Sequence, residues 1–228
     1  MGTDNGILVY NYRADRYEQP ETDFPTDVRT MALQGDTLWL GALNGLYTYQ
    51  LQSRKLTSFD TRRNGLPHNT IYSIIRTRDN QIYVGTYNGL CRYIPSNGKF
   101  EGIPLPVHSS QSNLFVNSLL EDTVRQCIWI GTEGYLFQYF PSTGQMKQTE
   151  AFHNNSIKSL ALDGNGDLLA GTDNGLYVYH NDTTPLQHII HDSRNIQSLT
   201  NNIIWNIFAD QEHNIWLGTD LSLIHISE

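Results

Sequence analysis

Long apolar runs are absent from this chain of 228 residues. No run approaches the roughly 18 consecutive apolar residues that a membrane-spanning helix needs, so the sequence predicts no membrane segment. Charged residues are also scarce, at 17%, and the formal net charge is −8. A protein that binds phosphate backbones needs a basic surface, so this composition argues against nucleic acid as a partner.

Cysteine is almost absent, with Cys91 and Cys127 as the two examples. Their spacing fits no C-x-x-C metal or redox pattern. Both residues fall in predicted strands, so two buried thiols are the simpler interpretation, and a disulfide would require neighbouring strands. The sequence leaves the pairing open.

Motifs for catalysis are missing too. There is no G-x-S-x-G, no H-E-x-x-H and no phosphate-binding glycine loop. The stretch from Asp163 to Asp167 begins like a calcium loop but lacks the later glycine and acid, which favours a hairpin turn. His188 and His191 are three residues apart, and exposed turn positions explain them better than a metal pair. The sequence therefore predicts no enzyme, no metal and no cofactor.

What is present is one short phrase, repeated six times, that begins with a glycine and in most copies ends in Gly-Leu or Gly-Ile. The leading glycines are Gly2, Gly41, Gly85, Gly131, Gly171 and Gly218. A period of about 40 to 47 residues with short strands and tight turns is typical of the blades of a β-propeller.

Each repeat predicts four antiparallel strands. The first strands are predicted at Val28–Leu33, Thr70–Ile75, Val116–Glu121, Ile157–Leu162 and Ile203–Asp210. The second strands are predicted at Thr37–Gly41, Gln81–Gly85, Cys127–Gly131, Asp167–Gly171 and Asn214–Gly218. Trp39, Trp129 and Trp216 precede the repeated glycine by two residues and are predicted to pack between sheets. The glycine itself indicates a close approach of neighbouring sheets.

The sequence thus predicts an all-β fold, a β-propeller fragment of about five four-stranded blades. Its units span about 1–25 (partial), 26–66, 67–112, 113–153, 154–198 and 199–228 (partial). The strands number 21 in this prediction, two of them before the first full unit. Both ends fall in mid-repeat, so we expect the chain to be part of a longer array.

The repeated unit has the pattern I-x-x-I, followed by D-x-x-x-x-(I/L)-W-(I/L)-G-T-x-x-G-L-x-x-Y. This pattern resembles the two-component regulator propeller repeat. Ile71–Tyr93 and Ile203–Ile226 are the best copies, and Asn64–Ile71 resembles the lead-in of that repeat. Ala42, Glu133–Tyr135 and Leu221–Ser222 depart from the pattern.

The resemblance implies the periplasmic sensor region of a Bacteroides-type hybrid two-component system. It further implies that the chain is part of a seven-bladed propeller, that oligosaccharides are the ligands and that glycan-utilisation genes are controlled. It also implies a homodimer and a histidine kinase in the full-length protein.

The candidate ligand site lies in the loops that lead into each first strand. Sugars are bound through planar amides and aromatic faces, and these loops carry both; Asn, however, is also a common turn residue. The candidate ligand residues are Arg29, His68, Asn69, Tyr72, Phe115, Asn155, Asn202 and Trp205, with Asn113, Asn154 and Asn201 beside them. Trp205 stands out because its position in other units is expected to hold Met31 or a neighbour of Met31, Tyr72, Ser118 or Ser159.

Three functions compete at this point. The first is a sensor that binds a glycan-derived ligand without turnover. The second is a scaffold for dimerisation or protein–protein interaction. The third is a propeller glycosidase or lyase, for which the chain offers few carboxylates near first-strand ends, namely Glu121, Asp122 and Asp210.

Overall fold

The computed structural model describes residues 1–20, 23–106, 114–149, 155–180, 187–195, 197–210, 212 and 214–226. The chain divides into two compact units, Met1–Val116 and Asn117–Glu228, which are called unit 1 and unit 2 below. Within the described ranges, regular structure is almost entirely β-strand, with one four-residue helix, α1 (Thr61–Asn64), in unit 1.

Unit 1 contains two small antiparallel sheets followed by two four-stranded ones. The small sheets pair β1 (Gly2–Thr3) with β2 (Gly6–Ile7), and β3 (Val9–Asn11) with β4 (Arg16–Glu18). The next sheet contains β5 (Val28–Gln34), β6 (Thr37–Ala42), β7 (Gly45–Gln50) and β8 (Leu56–Phe59). The last contains β9 (Ile71–Arg76), β10 (Ile82–Thr86), β11 (Gly89–Ile94) and β12 (Lys99–Ile103).

Unit 2 begins inside β13 and contains three further antiparallel sheets. The first is formed by β13 (Val116–Asp122), β14 (Cys127–Thr132), β15 (Leu136–Phe140) and β16 (Gln145–Thr149). The second is formed by β17 (Ile157–Leu162), β18 (Leu168–Thr172), β19 (Gly175–Tyr179) and β20 (Gln187–Ile189). The third has three described strands, β21 (Ile204–Ala209), β22 (Ile215–Thr219) and β23 (Leu223–Ile226).

The predicted fold class is confirmed, because strands follow one another in each sheet in chain order, as they do in a propeller blade. Every predicted first and second strand occurs within one residue of its expected ends. That the sheets form part of a seven-bladed propeller stays a prediction. In the part of the chain that the structure describes, no helix has the length and apolarity that a membrane crossing requires.

Two local features differ from the prediction. The stretch before the first full sheet has four short strands rather than two, because β1 pairs with β2 and β3 pairs separately with β4. The helix α1 was also not predicted. Its start is capped by the Asp60 carboxylate, which accepts hydrogen bonds from the backbone of Arg62 and Arg63.

The repeated glycine lies against the first residue of the next sheet in every copy except Gly218. A Cβ atom at Gly41 would lie 2.6 Å from Ile71 Cγ2, and one at Gly171 would lie 2.6 Å from Ile204 Cγ2. The same pairing recurs in Gly2 with Val28, Gly85 with Val116, and Gly131 with Ile157. The interpretation of this glycine as a site of close approach is confirmed.

Hydrogen bonds join neighbouring sheets at the third residue of the first strand. Ile74 N donates to Thr30 Oγ1 at 3.1 Å in unit 1, and Ile207 N donates to Ser159 Oγ at 3.0 Å in unit 2. Ser73 Oγ donates to Val116 O at 3.1 Å. Sheets are therefore fixed against each other by directional bonds as well as by apolar contact.

Two of the three tryptophans before the glycine pack in the core, as predicted. Trp39 is 2% exposed and Trp129 is 1% exposed, while Trp216 is partly buried. Their indole N–H groups donate to Gln34, Asp122 and Asp210, each at the end of a first strand. Each tryptophan thus ties the hairpin between first and second strands, and Trp39 and Trp129 also fill space between sheets.

Both cysteines are buried in strands, as predicted. Cys91 lies in β11, where its thiol donates to Val84 O at 3.6 Å, and burial raises the pKa of this thiol. Cys127 lies in β14, where its sulfur accepts a hydrogen bond from Gln138 Nε2 at 3.3 Å. The two residues belong to different units.

Candidate functional site

The loops that lead into the first strands are held by a repeated backbone hydrogen bond. Gly134 N donates to Asn155 O at 3.2 Å, and Gly175 N donates to Asn202 O at 2.7 Å. Gly89 N donates in the same way to Leu114 O at 2.9 Å. The carbonyl always belongs to the residue two positions before the first strand. Each lead-in loop therefore lies beside the turn between the second and third strands of the preceding sheet.

A β-bulge follows the first residue of the first strand. The pairing register shifts between Val28 and Thr30, between Ile157 and Ser159, and between Ile204 and Asn206. In β9 the partners of Gly85 and Thr86 are Ser73 and Ile71, so one residue is again unopposed. The bulge residues are Arg29, Tyr72, Lys158 and Trp205. A bulge redirects a side chain out of the regular alternation.

The pairing register shows which residues of the other first strands are equivalent to Trp205, and most of them differ from the expected ones. Tyr72 is confirmed, but Met31 and Ser159 are wrong, since the bulge residues of their strands are Arg29 and Lys158. Ser118 is wrong as well, because Asn117 is the residue that follows Val116, the contact of Gly85. Ser118 and Ser159 lie one residue beyond the equivalent position, and Met31 lies two residues beyond it.

Unit 1 brings three of the predicted residues together around a fourth that the sequence did not single out. The Tyr87 ring lies 4.1 Å from Phe115 in an edge-to-face arrangement and 4.8 Å from His68. Tyr72 lies 6.0 Å from Phe115. All four side chains are half-buried. We call His68, Tyr72, Tyr87 and Phe115 the aromatic cluster.

The cluster is positioned by the backbone. Tyr87 N donates to Thr70 O at 3.0 Å, and Thr70 N donates to His68 Nδ1 at 3.0 Å. Edge-to-face aromatic pairs at these distances hold one another in place. The cluster therefore presents several half-buried aromatic rings close together.

Two other predicted residues of unit 1 lie apart from these contacts. Arg29 is exposed at the bulge of β5. Asn69 Oδ1 accepts a hydrogen bond from Thr61 N at 3.0 Å and so holds the start of α1. Its side chain has a structural task at this position.

The asparagines of unit 2 also make internal hydrogen bonds. Asn155 Nδ2 donates to the Tyr177 hydroxyl at 2.9 Å, and the Tyr177 ring stacks on His188 at 4.0 Å. Asn202 Oδ1 accepts from His191 N at 2.7 Å. Asn201 Oδ1 accepts from Ile203 N at 2.7 Å in the same loop. These amides hold the loops that carry them.

Trp205 is the most exposed of the predicted aromatic residues, at 54%. Its indole Nε1 donates to Asp220 Oδ1 at 2.6 Å, and Lys158 Nζ lies 4.6 Å from the ring centroid. Asp220 follows the repeated Gly218-Thr219 pair, as Tyr87 follows Gly85-Thr86. That variable position of the repeated phrase is the signal that would have identified both residues. Asn113 and Asn154 lie outside the described residues.

Two of the three carboxylates considered for catalysis, Asp122 and Asp210, stabilise hairpins. Burial opposes ionisation of Asp122, yet the Arg125 backbone and guanidinium and the Trp129 indole together hold the pKa of its carboxyl below the usual value. Hydrogen bonds from Trp216 and Asn214 lower the pKa of Asp210 to about 2. Both groups are ionised at neutral pH and accept several hydrogen bonds, which makes them poor proton donors for a glycosidase.

Successive four-stranded sheets, joined by glycine contacts and carrying variable side chains at their lead-in loops and bulges, define a β-propeller protein. Residues 65–88 and 198–220 match the family described as two component regulator propeller. Two of the predicted repeats thus match this family, and both overlap the segments whose sequence resembles its repeat.

Two crystal structures of the extracellular domain of BT4673 from B. thetaiotaomicron match the chain with a TM-score of 0.96. They are 95% and 96% identical over 99% of the chain, and one is described as a one component system, the other as a hybrid two component system. Histidine kinase P4 of Formosa agariphila is 27% identical over 78% of the chain. The chain spans 30% of each BT4673 chain and 14% of the kinase.

Proposed function

We propose that this chain is the ligand-recognising part of the periplasmic sensor region of a hybrid two-component signalling protein. It binds oligosaccharides without turning them over, and binding controls glycan-utilisation genes through a histidine kinase elsewhere in the full-length protein. The aromatic cluster of unit 1 is the observation that carries the proposal. The names of the BT4673 structures and of the Formosa kinase support the signalling context.

The chemistry of the cluster suits a sugar. A pyranose ring has an apolar C–H face and a rim of hydroxyl groups, and Tyr and Trp rings pair an apolar face with a polar edge. The rings of Tyr72, Tyr87 and Phe115 are half-buried and lie close together. They are therefore neither buried in the apolar core nor isolated on the surface. His68 adds a ring beside Tyr87. Pockets for small ligands commonly combine such apolar surface with a few polar groups.

A thermal-shift titration against plant, host and microbial oligosaccharides tests the proposal. A ligand that binds only the folded chain adds roughly 2.7 kcal/mol of stability at about 100 times its Kd. We expect one sugar class to raise Tm selectively and saturably. A panel in which no sugar changes Tm would contradict the proposal.

Two variants assign the effect to the cluster. We expect Tyr87→Ala to weaken binding about tenfold, or about 1.4 kcal/mol, because one aromatic face is lost. Tyr12→Ala is the matched control, since Tyr12 is an 88% exposed aromatic residue in the same unit. Tm without ligand shows whether each variant is folded, and equal affinities in both variants would exclude the cluster.

A scaffold for protein–protein interaction is the second candidate. The last sheet of unit 2 exposes Phe208, Leu221 and Leu223 at 62%, 72% and 68%. Large apolar side chains exposed on one sheet are the kind of surface that an interaction partner could cover. This function predicts self-association of the chain and no sugar binding.

A further inference from the structure

Trp205 is held in one orientation although more than half of its surface is exposed. The hydrogen bond from its Nε1 to Asp220 Oδ1, at 2.6 Å, fixes the plane of the indole. Lys158 Nζ lies 4.6 Å from the ring centroid, within the range of a cation–π contact. The indole, 54% exposed in the described part of the chain, is thus held by one residue of β17 and one residue after β22.

The position of Trp205 in the repeat also separates it from packing residues. The residue before it, Ile204, is fully buried against Gly171, and its counterparts in the other first strands are always Val or Ile. The bulge residue itself is Arg29, Tyr72, Lys158 or Trp205 in the strands whose register shows the bulge. The backbone bulge at this position is the same in these strands, whereas the side chain differs from strand to strand. A position that determines ligand specificity requires this combination. Tyr72, at the same position in unit 1, belongs to the aromatic cluster.

The charges around the indole offset each other. Lys158 brings a positive charge to the ring and Asp220 brings a negative one to the ring nitrogen. A sugar carboxylate or sulfate at the ring would be attracted by one group and repelled by the other. A neutral ring with hydroxyl groups can donate to the remaining lone pairs of Asp220 and accept from the Lys158 ammonium.

We propose that Lys158, Trp205 and Asp220 form a recognition site in unit 2 for one neutral pyranose ring of an oligosaccharide. The indole face packs against the C–H face of the ring, and the two charged groups bind hydroxyls on its rim. This inference rests on the proposed function and deepens it, because it names a second site and the charge class of the sugar.

Tryptophan fluorescence tests the site directly. The chain has four tryptophans, of which Trp39 and Trp129 are buried and Trp216 is partly buried, so acrylamide quenches Trp205 most strongly. The probes are neutral gluco-, galacto- and manno-configured tetrasaccharides and, as an anionic probe, tetragalacturonate. We expect one neutral tetrasaccharide to protect the quenchable fraction, and Trp205→Phe to remove that fraction from the signal.

Binding by calorimetry then separates stacking from folding. We expect Trp205→Ala to weaken the neutral tetrasaccharide about tenfold and Trp205→Phe to keep its affinity within about threefold, because Phe retains an aromatic face. Phe208→Ala, which removes a 62% exposed aromatic side chain from the same strand, is the matched control and should bind normally. Tm without ligand confirms that each variant is folded.

A further substitution tests the role of the charges of Lys158 and Asp220. Asp220→Asn leaves Lys158 unbalanced, so the affinity for tetragalacturonate relative to the neutral sugar should rise about threefold or more. A wild-type chain that prefers tetragalacturonate would overturn the neutral class. A sugar whose binding is weakened by Tyr87→Ala but not by Trp205→Ala would overturn this site and leave the proposed function intact. A panel without any binding sugar would contradict both.

Discussion

At the scale of single residues, the contacts between sheets depend on glycines at which a side chain would clash. A Cβ atom at Gly171 would lie 2.6 Å from Ile204 Cγ2 and 3.3 Å from Ile207 Cδ1. At Gly218 the nearest atoms belong to Asn206 of the neighbouring strand, at 3.7 Å and beyond. The same motif glycine is thus sterically required in one sheet of unit 2 and unconstrained in the next.

Alanine substitutions at Gly171 and Gly218 distinguish a glycine that the contact between sheets requires from a glycine that only belongs to the repeated sequence. We expect Gly171→Ala to destabilise the chain by about 2 kcal/mol, because buried atoms of the next sheet must shift. Gly218→Ala should change stability by less than about 1 kcal/mol, with a stabilising sign if the unfolded chain loses entropy. Urea denaturation of both variants measures the difference. Equal losses would show that the glycine matters for its own strand and not for the contact between sheets.

At the scale of elements, the hairpin between first and second strands is the most repeated device. Asp210 accepts hydrogen bonds from the backbone of Glu212 and Asn214 with Oδ1 and from Trp216 with Oδ2. Asp122 does the same for Val124, Arg125 and Trp129. One carboxylate therefore closes the turn and anchors the indole that packs between sheets.

This device makes stability depend on pH. The folded pKa of Asp210 is about 2, below its ordinary value of 3.8, so folding favours the ionised carboxylate. Its contribution is complete above pH 3.8 and is lost as pH falls towards about 2, because the unfolded chain binds the proton more readily. The lowered pKa of Asp122 acts with the same sign.

We expect the free energy of unfolding to decrease on acidification through this window and Asp210→Asn to reduce that decrease. Urea titrations between about pH 5 and about pH 2 measure both profiles. If the variant and the wild-type chain gave parallel profiles, the carboxylate would not be the group responsible.

At the scale of the whole molecule, an acidic chain of net charge −8 and two units of repeated sheets is a framework whose specificity lies in its variable side chains. The sensor and scaffold functions differ here in one observable. Self-association makes Tm depend on protein concentration, whereas a small ligand raises Tm at any concentration of protein.

We therefore expect Tm of the chain alone to stay constant over about a fiftyfold range of protein concentration and to rise with the sugar. Sedimentation velocity over the same range checks the mass. A Tm that increases with protein concentration, together with a concentration-dependent dimer and no response to sugar, would favour the scaffold.

Much of the candidate site could be anticipated residue by residue. Tyr72 and Phe115 were predicted from aromatic character in lead-in loops, and the structure brings them together with His68. Tyr87 was missed because it follows the repeated Gly-Thr pair in a turn assigned to hairpin chemistry. Asn155 and Asn202 were predicted from amide chemistry, but their amides hold loops, a use that depends on neighbours distant in sequence.

The sequence by itself determined the fold of each repeat, because alternating apolar residues, Asn-Gly turns and a glycine of fixed spacing are local signals for strands and hairpins. It also determined which glycines and tryptophans belong to the contacts between sheets, since their spacing repeats. Only the tertiary structure decided the pairing register, and with it the bulges at Arg29, Tyr72, Lys158 and Trp205. A bulge depends on which residues of two strands oppose each other. Packing between the two strands sets this pairing, and the amino-acid sequence of one strand does not.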